Sequence, residues 1–521
     1  MKNENSLKSR ALPAAILALA PLLGVLLYCT LDGTALWEIY TPATQWNDEL
    51  IYYKLTENAA AYGVPRGWFG YNESRGQLLS FGAWSPITII HYLAYGSVLG
   101  WSLSSPLICN IALMSLSFLC FALLVRPSAA QAGLTALLYC CFGPFSRFTL
   151  SVMSECYFYA LTVLFVGFAV YAWNGENSKK ASAATALMIL CAALLTAGRP
   201  NYAVFFLLTF YIIYKKRGVL RALGFSLGAA ALALGFYWFC ARYLCAAYTE
   251  PMIHLEFLEL FSTGFFTGLY ETLYLLWLDF KEFFSLALQG LLKPGPDNSL
   301  LTGYAALGLA LAAVWLSSLV KKRKNGMLLF LAALAYASVM LALMLFLVIT
   351  VASRHILPFM LAALLLLVKL EYPKGLKTAA VSAAVLMGVL ATLGFLSDSY
   401  YKLPKATPQG EEKQHSVRLS MGEAMELSEG ISWENTVLWV YNDVRDGINS
   451  DSDWSCLFAL PEGFAINISY FYYADAEFSN LKSKYIFTCP HSSLGEKCIS
   501  EGGRLLYRDE YYELLLNPKY A

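Results

Sequence analysis

Four short polar motifs interrupt an otherwise apolar chain and carry side chains able to move a proton or hold an anion. Trp46-Asn47-Asp48-Glu49 offers two adjacent carboxylates and Met153-Ser154-Glu155 a third. Gly198-Arg199-Pro200-Asn201 offers a guanidinium, and Ser353-Arg354-His355, with Pro358 following, a guanidinium beside an imidazole. A carboxylate within hydrogen-bond reach of a hydroxyl can take its proton as the oxygen attacks an electrophile. A guanidinium fork gives a phosphate two parallel charge-assisted hydrogen bonds. The candidate acid–base residues are therefore Asp48, Glu49 and Glu155, and the candidate phosphate-binding residues Arg354, Arg199 and His355.

Each has a plainer reading beside the chemical one. Asp48 and Glu49 open the amphipathic run DELIYYKLTENAAAYG, where adjacent acids point to different faces of a helix and could simply be solvated. Glu155 suits a helix N-terminus through the macrodipole. Arg199 and Arg354 could be snorkelling anchors, although single arginines at these helix ends run against the charge bias of the other loops. His355 at a helix end could be structural.

The elements that must position these groups are helices in a bilayer. Hydrophobic residues make up 58% of the 521, charged residues only 14%, and the mean hydropathy is +0.52, more apolar surface than a soluble core needs. Apolar blocks of spanning length fall near 11–30, 106–125, 131–145, 154–173, 181–197, 202–214, 222–240, 301–320, 327–350, 356–369 and 379–396, which predicts about eleven transmembrane helices. Lys/Arg-rich linkers such as Lys215-Lys216-Arg217 and Lys321-Lys322-Arg323-Lys324 fall on alternate sides and are expected to be cytoplasmic. Counting 87–100 as a crossing would reverse that pattern, so it reads as re-entrant or interfacial. The N-terminus is then cytoplasmic. Residues 1–397 form the membrane domain with outer loops 31–84 and 241–299, and residues 398–521 form an extracytoplasmic soluble domain.

The first apolar run reads as an uncleaved anchor rather than a signal peptide, because no small-residue cleavage site follows it. Most of the twelve cysteines lie in apolar spans and act as small hydrophobes. In the tail, Cys489 and Cys498 could close a disulfide loop in an oxidising compartment. The tail's runs NTVLWVYN, FAINISYFYY and KYIFTC predict strands and LSMGEAMELSEGI a helix, giving an α/β or β-rich domain. Asn72-Glu73-Ser74 and Asn467-Ile468-Ser469 match the glycosylation acceptor pattern.

Taken in order, an acidic motif in the first outer loop, a Ser-Glu opening a middle span, Arg-Pro turns, a late S-R-x-x-x-P segment and a soluble outer tail resemble the GT-C superfamily of membrane glycosyltransferases. That superfamily includes protein O-mannosyltransferases and lipid A aminoarabinose transferases. The resemblance covers the whole chain in layout. It implies a polytopic α-helical GT-C-like fold and transfer of a sugar from a polyprenyl-phosphate carrier to a glycan, lipid or protein acceptor on the outer face, with inversion. It also matches Asp48, with Glu49 beside it, to the family's acidic motif and Arg354 to the late basic residue that meets the lipid phosphate. Several members have two acids in the second catalytic position where this chain has Glu155 alone, which leaves a divalent cation (Mg or Mn) open.

Trp46, Tyr52, Tyr53, Trp68, Phe69 and Tyr71 could line a sugar site, or form an interfacial aromatic belt. The rival reading is a lipid-linked glycan polymerase, ligase or exporter. A transporter calls for charges at the bilayer midplane and internal repeats, and neither is present in the sequence. A scaffold working through its tail would leave Asp48 and Arg354 without a role. The partners expected are the lipid bilayer, the carrier-linked sugar and an acceptor, with no nucleic acid.

Overall fold

The computed structural model describes residues 2–43, 46–63, 70–71, 85–175, 178–244, 256–320, 326–346, 353–369, 373–429, 432–440, 454–469 and 480–521. The bundle is built from α1 (Lys2–Asp32), α2 (Asn47–Tyr62), α3 (Ile90–Leu99), α4 (Ser105–Val125), α5 (Ala129–Cys141), α6 (Gly143–Thr149), α7 (Glu155–Asn174) and α8 (Lys179–Gly198). It continues with α9 (Phe205–Arg217), α10 (Val219–Tyr243), α11 (Phe265–Leu292), α12 (Pro296–Val320), α13 (Gly326–Phe346), α14 (Leu357–Lys369) and α15 (Lys374–Ser397).

Each of the eleven expected spans contains a helix, and among the described residues eight helices are long and apolar enough to cross a bilayer. The chain is a polytopic α-helical membrane protein. The other three expected spans, α5, α9 and α14, have 13 residues each, or roughly 20 Å of helix, less than the hydrocarbon thickness. All residues of α14 from Leu357 to Val368 are buried, as befits a helix apolar all round. α7 is likewise enclosed, packed by α4, α8 and α14, so the two helices that carry Glu155 and follow Arg354 form the rigid interior. Pro86–Leu99 is another of these shorter apolar helices.

One expectation changes. The stretch 241–299 is not simply a loop, because it contains the 28-residue helix α11. Glu271, Asp279, Lys281 and Glu282 within it lower its hydropathy below a spanning signal. Its C-terminal half packs on α12, where the Thr302 hydroxyl donates to the Ala287 carbonyl at 2.6 Å. Phe265, Phe266, Tyr270, Trp277 and Phe284 stand exposed along it.

The C-terminal region is a mixed α/β layer. It comprises α16 (Pro408–Ala424), α17 (Ser493–Ser500), β2 (Thr436–Val440), β3 (Ala465–Ser469), β4 (Tyr485–Thr488), β5 (Arg504–Arg508) and β6 (Glu513–Leu516). The three expected strands are β2, β3 and β4. The expected helix starts earlier and stops at Ala424, with Thr407 capping it by accepting from the Gly410 N–H at 3.0 Å. The six-stranded sheet has the order β1-β3-β2-β4-β6-β5. Its edge strand β1 (Gly70–Tyr71) comes from the first loop and pairs in parallel with β3, Gly70 opposite Asn467. A small apolar core of Leu438, Val440, Ile486, Leu494, Cys498 and Leu515 lies between the sheet and α17.

Two tail expectations do not hold. Cys489 and Cys498 are separate thiols, and the Cys498 thiol is buried and donates to the Leu516 carbonyl at 3.6 Å. Asn467 is buried within β3, between β1 and β2, out of reach of a glycosylating enzyme once folded. Asn72 lies outside the described residues.

Candidate active site

Helix α2 begins where the sequence places its acidic pair, and the two acids part company there. Glu49 sits at the third helical position and its carboxylate reaches back to accept the Trp46 N–H at 3.0 Å, satisfying a donor the helix cannot. Its other oxygen accepts the Val152 N–H at 2.8 Å, and the side chain is fully buried. Glu49 is thus a staple between the start of α2 and the turn leading into α7. Asp48, about 100° around the helix, turns instead toward Arg354, with its Oδ2 3.5 Å from Arg354 Nη2. At the other end of α2, Gly63 closes the helix in the left-handed conformation at φ 75° that favours glycine.

Four separate chain segments converge on this point. Glu155, the first residue of α7, places Oε1 2.7 Å from Arg199 Nη2 and 3.6 Å from Arg354 Nε. Arg199, just beyond α8, also donates to the Ser154 hydroxyl at 3.2 Å and meets His355 Nδ1 at 2.6 Å. The arrangement has two levels. Glu155 and Arg199 are 0% and 1% exposed, a buried pair whose charges cancel. Above them Arg354 and Asp48 are 20% and 36% exposed. Among the described residues Arg354 Nη1 has no partner, and its two ionic contacts are long, so this guanidinium is free to turn to an incoming anion. Arg199 and His355 are committed to the lower level.

Arginine can only donate, so the 2.6 Å contact requires His355 Nδ1 to accept and the ring to be neutral. Burial, reinforced by the charges of Arg199 and Arg354, holds His355 well below the ordinary imidazole value. In the unfolded chain the ring titrates near 6.5, so below that pH the unfolded state binds a proton the folded state refuses. Stability from this contact is therefore present above about pH 6.5 and is lost as the pH falls below it. We expect His355→Gln to flatten the difference in thermal midpoint between about pH 5 and pH 7.5; an unchanged difference would show that the ring titrates normally.

Residues outside the four polar motifs complete the site. Arg147 of α6 is fully buried, donates to the carbonyls of Tyr401 at 2.8 Å and Ala43 at 3.4 Å, and lies 4.8 Å from the Trp46 ring centre. Phe148 stacks on the same ring at 5.5 Å. Trp46 is therefore a packed support for Asp48 rather than a wall of an open sugar site. Tyr400, half exposed, meets Trp46 edge-on at 5.5 Å and lies within the fields of Arg354 and Asp48. Tyr52, one turn beyond Asp48, is buried under the cluster. Trp68 and Phe69 lie outside the described residues. Arg147 was detectable, since it is the single charged residue between Pro127 and Ser154, and ionisable residues in such stretches usually have a task.

No protein-family model and no curated protein sequence matches this chain. Among solved structures it is similar to an oligosaccharyltransferase from Archaeoglobus fulgidus in complex with Zn and sulfate (14% identity, covering 96% of this chain and 73% of that one, TM-score 0.47). It is also similar to the archaeal oligosaccharyltransferase AglB from Archaeoglobus fulgidus in complex with an inhibitory peptide and a dolichol-phosphate (14% identity, 92% and 69% covered, TM-score 0.45). A third is ArnT from Cupriavidus metallidurans bound to undecaprenyl phosphate (12% identity, 96% and 97% covered, TM-score 0.43). These are distant likenesses, and the chemistry below stands on the residues just described.

As for a metal, no three His, Cys, Asp or Glu side chains come together among the described residues. Asp48 and Glu155 flank Arg354, and Arg199 lies against Glu155. A divalent ion between these carboxylates would meet two guanidinium charges, so the donor set does not fit one.

Proposed function

We propose that this chain is a GT-C-like inverting membrane glycosyltransferase that moves a sugar from a polyprenyl-phosphate carrier to a hydroxyl of an acceptor on the outer face of the membrane. One observation carries the reading: an accessible carboxylate, Asp48, faces an accessible guanidinium, Arg354, over a buried pair whose charges already cancel. In the reaction the carrier phosphate draws Arg354 away from Asp48. The acceptor hydroxyl donates its proton to Asp48 as its oxygen forms the bond to the anomeric carbon. The bond from that carbon to the phosphate oxygen breaks on the opposite side, and the electron pair leaves with the phosphate, whose charge Arg354 stabilises. One displacement inverts the anomeric centre. Glu155, itself fixed by Arg199, holds Arg354 in place from below, and neither His355 nor Glu49 touches the reacting atoms. An exporter reading gives Asp48 no proton to take.

The test is an assay with labelled polyprenyl-phosphate sugars and lipid or cell-envelope extracts as acceptor source. Label should move out of the carrier lipid in the presence of the intact protein; retention of all label on the carrier would overturn the reading. In the same assay, Arg354→Ala should weaken donor binding by about tenfold to a hundredfold, and Arg354→Lys by less, because lysine keeps the charge and loses the fork. Equal affinity in all three proteins would remove Arg354 from the donor site.

The outer location rests on the Lys/Arg-rich linkers. A reporter fused after Ser397 should be extracytoplasmic and one after Lys324 cytoplasmic; the same side for both would refute the arrangement.

A further inference from the structure

On the opposite face of α2 from Asp48, a cavity of about 480 Å³ opens between the membrane bundle and the C-terminal layer, within the size range of small-molecule sites. Its floor is aromatic. Tyr53 and Trp101 lie with ring centroids 5.4 Å apart, and Phe458 meets Tyr53 edge-on at 4.9 Å. Its polar groups are of both signs. Glu57 of α2, one turn beyond Tyr53, accepts from Lys54 Nζ at 2.6 Å; Arg418 of α16 and Glu462 stand exposed at the mouth. Ser102 and Ser104 add hydroxyls on the α3–α4 side.

The wall is built rather than incidental. The buried Lys54 ammonium donates to the carbonyls of Phe458 and Leu460 as well as to Glu57, and Asn58 accepts the Gly463 N–H at 2.8 Å. The segment carrying Phe458 and Glu462 is therefore fixed against α2. Lys54, buried behind the wall, offsets Glu57, which leaves one positive and one negative side chain, Arg418 and Glu462, at the mouth, so neither an anion nor a cation is favoured. An acyl or prenyl chain would strand these polar groups against hydrocarbon. What satisfies an aromatic floor, hydroxyls, carboxylates and a guanidinium together is a ligand with apolar C–H faces and many hydroxyls.

We propose that this cleft binds an uncharged saccharide, with a sugar ring lying on the partly exposed Trp101, which the buried Tyr53 and Phe458 back, and hydroxyls bonded to Arg418, Glu462 and Glu57. It is a holding site, separated from Asp48 by the thickness of α2. It does not depend on the transfer reaction and is measured without donor.

The experiment uses the full-length protein in nanodiscs, with N,N′-diacetylchitobiose, maltose and mannobiose as probes, trigalacturonate as an acidic control and an uncharged peptide as competitor. Binding is read by saturation-transfer NMR and tryptophan fluorescence. At least one neutral disaccharide should bind, and Arg418→Ala and Glu462→Ala should each weaken it about tenfold. Both residues are exposed, so the thermal midpoint should not move. Trp101→Phe should keep most of the affinity, since a ring face remains. The proposal is overturned if none of the three disaccharides binds, if both mouth variants bind as well as the parent, or if the peptide or trigalacturonate binds more tightly. Asp48→Asn should leave disaccharide binding intact while lowering transfer by about 10²–10⁴-fold, so failure of one proposal is distinguishable from failure of the other.

Discussion

Asp48→Asn should lower turnover by about 10²–10⁴-fold in a single-turnover assay with saturating donor, with the thermal midpoint unchanged. Asparagine keeps the shape and can still accept from Arg354, but it cannot take a proton. The neighbouring substitution should behave in the opposite way. Both Glu49 oxygens accept backbone N–H groups, from Trp46 and Val152. Glu49→Gln places its amide NH₂ against one of those donors and should cost about 1–3 kcal/mol of stability. Its residual turnover per folded molecule should stay closer to that of the parent than in Asp48→Asn. Rate loss in Glu49→Gln with full rate in Asp48→Asn would transfer the base role to Glu49, and full activity in both would sink the displacement mechanism.

The largest stability effect is expected at the buried pair. Removing the carboxylate in Glu155→Leu leaves the Arg199 guanidinium buried beside Arg354 with its main counter-charge gone, which should cost about 3–5 kcal/mol. Arg199→Met should cost a similar amount by stranding Glu155. The double variant should recover much of the loss, because two apolar side chains of similar length need no compensation. Thermal unfolding of the three variants in one detergent checks this. A double variant no more stable than the worse single would mean that the pair is not held by mutual neutralisation.

The bundle was legible in the sequence because bilayer thickness imposes a run length that composition alone reveals. Helix α11 was not, because four charged residues break its apolar run although the helix survives them. The four polar motifs were found by type, and the positive-inside bias marked Arg199 and Arg354. What the sequence could not supply was their order of burial. Arg199 and Arg354 look alike on paper, and so do Asp48 and Glu49, yet within each pair one member is buried and the other open. That difference depends on which neighbouring segment closes over each side chain, a long-range property that local spacing does not encode. Arg147 shows the complementary error, a lone charge overlooked because no motif surrounds it. Asn467 shows that an acceptor pattern says nothing about access.

The pairing of Gly70 with Asn467 has a consequence for how the protein is made. Roughly four hundred residues separate these partners, and at the usual speed of ribosomes that is about 20–80 s of synthesis. During that interval the edge strand from the first loop has no sheet to join, and Lys54 and Asn58 lack the carbonyls and N–H of 458–463 that they later engage. The helix that presents Asp48 thus waits for the last part of the chain to leave the ribosome. Chains stalled or cleaved before that point would leave the α2 face unbraced and β1 without a partner strand.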